Sequence, residues 1–189
     1  MGRKRHESLS SIQNRDEVAV FLDHILQWLC DLQSNEIKLF DEKHVVELGQ
    51  TIAWKLDLAV FCDLDRNYRN AYSINFLVNE KGRSLLIEKE ADYYADLKVS
   101  QFRIRIDISH KGGFFCLRAY TVLQVDNASL CVPVQDKSRR LLKICDQVVR
   151  LLNKHGLIQI PNILLERHTN GRNELGGEVT VMTKFFGEA

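Results

Sequence analysis

Between Ser100 and Val125 hydrophobic and polar positions alternate with a period of two. Phe102, Ile104, Ile106 and Ile108 interleave with Arg103, Arg105 and Asp107, the pattern of a strand with one face buried. His110-Lys111-Gly112-Gly113 supplies turn chemistry, and a second β-rich run follows from Phe114. Closing that loop as a simple hairpin predicts a register. Ile108 faces Phe115, Ile106 faces Leu117 and Ile104 faces Ala119 on one side. On the other, Asp107 meets Cys116, Arg105 meets Arg118 and Arg103 meets Tyr120. The first face is core; the second is a basic strip with one aromatic.

Helical spacing marks three further segments. Asn14 caps a helix carrying Val18, Phe21, Leu22, Ile25, Leu26, Leu29 and Leu32. Asp41 caps a second, with Val45, Val46, Leu48, Ile52 and Ala53 on its apolar face. From about Leu56 the pattern favours a strand, although the same residues can continue the helix. Asp136 caps a long amphipathic helix (about 137–155) whose broad face runs from Leu141 to Leu152, with Gly156 as its stop.

The remaining pattern is β-like. Tyr72 to Val78 and Ser84 to Glu88 bracket Asn79-Glu80-Lys81-Gly82 and predict a hairpin. Ala91 to Leu97 reads as a connecting turn of helix. Asn127 to Gln135 reads as a loop or edge segment, because Pro133 donates nothing to a ladder. Ile163–His168 and Glu178–Phe186 are the last two strand candidates. Helices first, then strands in series, then a helix and more strands predict an α+β fold with a mainly antiparallel sheet and two N-terminal helices.

Composition narrows the class. The 189 residues, 45% hydrophobic and 27% charged, suit one domain over 14–189 behind a flexible basic tail at 1–13. Five widely spaced cysteines, an odd number without C-x-x-C, read as reduced thiols of an intracellular protein. No apolar run approaches the roughly 18 residues of a membrane span. The expectation is therefore a cytoplasmic protein without membrane partners.

Candidate chemistry is sparse. Asp63-Leu64-Asp65-Arg66-Asn67 begins like a calcium loop, but Tyr68 and Ile74 stand where Gly and Glu are needed. A two-carboxylate magnesium site is the weaker alternative. Cys116, placed by the register on the arginine face, is the best candidate thiol, since cationic neighbours favour thiolate. No phosphate loop, dinucleotide fingerprint or nucleophile elbow is present. No catalytic residue, metal or cofactor is assigned.

Charge is more informative. Lys137, Arg139, Arg140, Lys143, Arg150 and Lys154 against Asp146 give 137–155 a net +5, while 31–65 carries −5 within a chain of net +1. Cations at a helix N-terminus oppose the macrodipole, and Arg105 opposite Arg118 repels by about 0.2–1 kcal/mol. An external anionic partner, the acidic segment 31–65 of the same chain, or a solvated polar face neutralised by Asp107 and Glu side chains would each explain both. The sequence thus predicts a non-catalytic protein-interaction module, in the style of immunity proteins or chaperones, which binds a protein partner through a charged face. Its contact residues would be Arg103, Arg105, Arg118 and Tyr120, with Phe114 as an exposed anchor and Arg139, Arg140 and Lys143 on the helix. The alternative is a nucleic-acid or phospholigand-binding protein using the same surface.

Overall fold

The computed structural model describes residues 41–65, 71–79, 85–110, 113–126, 128–134, 138–166, 168–172 and 178–187. All lie in Lys38–Ala189, one of two units into which the chain divides. The helix predicted from Asn14, the basic tail, the proposed cap Asp136 and Lys137 lie outside the described residues.

Helix α1 (Glu42–Leu56) starts at Asp41, whose carboxylate accepts from the His44 backbone N–H at 2.8 Å. It ends where Asp57 turns left-handed, φ 54°, and strand β1 (Ala59–Asp63) follows. The ambiguity at 56–64 resolves as a helix end and then a strand. Gly49 lets α1 approach the sheet: an added Cβ would meet Cys62 Sγ at 3.1 Å and Ile74 Cγ2 at 3.3 Å.

Next come β2 (Ala71–Val78), β3 (Leu85–Ile87), α2 (Glu90–Lys98), β4 (Phe102–Ser109), β5 (Phe114–Val125) and β6 (Ala128–Pro133). They form one sheet in the order β3-β1-β2-β4-β5-β6. The central pairs are antiparallel, but β3 joins β1 in parallel. A short β7 (Ile158–Gln159) also lies parallel to β5, beside Phe114 and Phe115. The sheet is therefore mixed rather than simply antiparallel.

The β4–β5 hairpin has the predicted register at all six pairs. The hairpin predicted around Asn79–Gly82 does not form. Strand β2 is buried along its whole length and both its edges are taken, by β1 and β4. The chain instead crosses to the free edge of β1.

Helix α3 (Arg139–Lys154) buries Leu141, Val148 and Leu152. It closes before Gly156, whose φ of 81° favours glycine. Its N-cap is Ser138, with no side-chain cap bond. Two terminal expectations fail. Ile163 is exposed in a short α4 (Asn162–Leu165), which turns Leu164 and Leu165 inward instead. The last strand candidate splits into β9 (Glu178–Thr180), paired with β8 (His168–Arg172), and helix α5 (Val181–Phe186). Thr180 and Thr183 form a reciprocal capping box there, which starts a helix despite the β-like pattern.

Helices α1 and α3 pack on one sheet face over the main core, which includes Ile52, Phe76, Ile106, Phe115 and Leu152. Helix α2 covers a smaller cluster of Ala59, Leu77, Tyr93, Leu97 and Val122 on the other face.

Candidate functional site: a polar cleft under helix α2

Strand alternation sends Ser73 and Asn75 of β2, Arg103, Arg105 and Asp107 of β4, and Cys116, Arg118 and Tyr120 of β5 to the α2 side of the sheet. Apolar contacts close this face at both ends. The α2 cluster lies at one. At the other, the Phe114 and Phe185 rings lie 6.0 Å apart and Ser109 Oγ donates to the Phe185 carbonyl at 2.6 Å. Between them lies a polar network.

Asp107, only 2% exposed, is its hub. Its Oδ1 accepts from Ser73 Oγ at 2.5 Å and Arg105 Nε at 2.8 Å, and its Oδ2 from Arg118 Nη2 at 2.5 Å. Burial alone would raise the Asp107 carboxyl, but Arg105, Arg118 and the Ser73 hydroxyl outweigh it and hold it below the usual range. One carboxylate thus reconciles the two facing arginines. Among the described residues Arg105 and Arg118 pair with Asp107 and with none of the acids of 41–65, so their juxtaposition no longer argues for an external anion.

Arg103 is held differently. Its Nε and Nη2 donate to Asn75 Oδ1 at 3.0 and 2.7 Å. The guanidinium carbon lies 6.0 Å from the Tyr93 ring centre and 5.7 Å from that of Tyr120, within cation–π range. Among the described residues it meets no carboxylate at ion-pair distance. A neutral amide and two rings orient this cation without neutralising it.

Arg103 and Arg105 line a cleft of about 550 Å³ between α2 and the sheet. Its other walls carry Phe61, Asp63 and Asp65 from β1 and the loop after it, and Glu90, Tyr93, Tyr94 and Leu97 from α2. Phe61 stacks on Tyr93 at 4.7 Å, and Tyr94 meets Tyr93 edge-on at 5.3 Å. Tyr94 Oη donates to Glu90 at 3.2 Å. Two buried donors, the Tyr93 hydroxyl and Arg118 Nε, have no hydrogen-bond partner among the described residues.

The structure brings Arg103, Arg105, Arg118 and Tyr120 together and separates the other proposed contacts. Phe114 is 2% exposed, so it is a packing residue rather than an exposed anchor. Arg139, Arg140 and Lys143 are exposed on α3, across the sheet from the cleft. Cys116 is fully buried, and burial first, then the Asp107 charge, push its thiol up to about 12. Burial thus outweighs the cationic neighbours that would favour a thiolate at this candidate position. Among the described residues no group of three potential metal ligands occurs, and no helix is long and apolar enough to cross a membrane.

Sequence reading missed Asn75, Glu90, Tyr93 and Tyr94. Ser73 and Asn75, alternating within an otherwise apolar strand, were the available sign of a polar second face. Helix α2 offered none, since its apolar face is only Tyr93 and Leu97. The chain matches no protein-family model, no curated protein and no solved structure.

Proposed function

We propose that this chain is a non-catalytic binding protein whose cleft takes a small phospholigand, with the anionic group seated on Arg103. The observation that carries this reading is the Arg103 guanidinium, oriented by Asn75 at the cleft wall and without a carboxylate partner among the described residues. A preset donor fork is what a phosphate group recognises. The cavity size lies within the usual range for small-molecule sites, roughly 300–1,000 Å³. The described cysteines, all free, fit a reducing compartment. Removing the charge in Arg103→Gln should weaken binding of phosphorylated compounds by about tenfold or more, the worth of one charge-assisted hydrogen bond. Calorimetric titration checks this; equal affinity in the variant would remove Arg103 as the anchor.

A protein partner remains a second reading through a different surface. Arg139, Arg140, Lys143, Arg150 and Lys154 are all exposed on α3, a layout suited to an acidic partner. Arg139→Glu with Arg140→Glu and Lys143→Glu should abolish partner capture while leaving phospholigand binding intact. Unchanged capture by the folded triple variant would dismiss this surface.

A further inference from the structure

We infer that the phospholigand is a nucleoside 5′-monophosphate, an inference that rests on the cleft reading above. The cleft has a chemically mixed lining. The Arg103 and Arg105 guanidiniums share its lining with the rings of Phe61, Tyr93 and Tyr94 and with the Asp63, Asp65 and Glu90 carboxylates, and Arg103 itself lies over Tyr93. A bare anion uses only the guanidiniums and is opposed by the carboxylates. A ligand with an anionic head and a planar, donor-rich body uses both.

The aromatic and acidic side chains of the lining have the parts for such a body. Tyr94 is 52% exposed, and its edge contact with Tyr93 and its hydrogen bond to Glu90 fix its ring. That ring is a platform on which any base can stack. Carboxylate oxygens accept from sugar hydroxyls and from the amino and imino groups of bases. Backbones at Asp63 and Arg105 lie two strands and two residues apart in register, roughly 12 Å, so their side chains converge on an object of mononucleotide size. Among the described cleft residues one guanidinium, Arg103, lacks a carboxylate partner, which suits a single phosphate rather than a polyphosphate.

The test is calorimetric titration of the full chain with inorganic phosphate, ribose 5-phosphate and the four ribonucleoside 5′-monophosphates. At least one nucleotide should bind roughly tenfold more tightly than ribose 5-phosphate, the worth of one stacked base. Tyr94→Ala should erase that difference, and Arg103→Gln should weaken every phosphorylated compound. Thermal melting of both variants confirms the fold. If nucleotides bind no better than ribose 5-phosphate, the nucleotide inference fails and the phospholigand reading stands. If no phosphorylated compound binds, both fall. A 5′-phosphorylated oligonucleotide binding more tightly than the mononucleotide would overturn a free nucleotide as the ligand.

Discussion

Asp107→Asn should destabilise the protein by about 3–5 kcal/mol at neutral pH, the usual cost of breaking a buried ion pair from one side. The carboxylate is 2% exposed and bonds two guanidiniums whose side chains are themselves only 17% and 24% exposed. Asn keeps the shape and removes the charge, leaving Arg105 and Arg118 facing each other in register. Urea denaturation measures the loss as a lower midpoint at unchanged slope. A loss below about 1 kcal/mol would mean that water already reaches the cluster and screens it.

The same residue predicts an acid dependence. Its folded pKa lies below the ordinary carboxyl value, because the paired arginines outweigh burial. Its contribution is therefore complete above the unfolded pKa, near 3.9, and disappears as pH falls through the lower folded value. Between neutrality and strong acid the wild type should lose this increment, and Asp107→Asn should not. Comparing the two stability profiles isolates Asp107 from the other carboxylates.

Phe115→Ala should cost about 3–5 kcal/mol, in the range for removing a fully buried aromatic side chain. Phe115 has no exposed surface, sits opposite Ile108 in the hairpin and belongs to the main core under α1 and α3. Its carbonyl accepts from Ile160 N at 2.7 Å, so the backbone also ties β5 to the segment after α3. That bond survives the substitution, which confines the loss to packing. Phe115→Leu should recover most of the loss, since Leu refills much of the space. Equal costs for Ala and Leu would mean that the ring's shape, rather than buried volume, sets stability here.

The two variants read opposite faces of one strand pair. Phe115→Ala should leave phospholigand affinity unchanged under conditions where the variant is folded. Asp107→Asn disturbs Arg105, which lines the cleft, so it affects stability and the site together.

How much was legible follows from the range of each interaction. Side chains on adjacent strands declare their pairing through period-two alternation, and a short loop leaves few registers, so the six predicted β4–β5 pairs are all present in the ladder. Asp41 and Gly156 bound α1 and α3 through local backbone chemistry, and both were readable. The β3 crossover was not, because it depends on which sheet edges other strands have already occupied. Nor was α5, where a capping box outweighed an alternating pattern.

The site divides in the same way. By itself the sequence determined that Arg103, Arg105, Arg118 and Tyr120 share one face of a hairpin, because alternation is a property of the strand alone. Only the tertiary structure decided what those charges do. It buried Asp107 between two arginines, gave Arg103 a neutral amide from β2, and roofed the face with tyrosines from α2. A charge acquires its role from groups within a few ångströms, and here those groups lie up to 34 residues away along the chain.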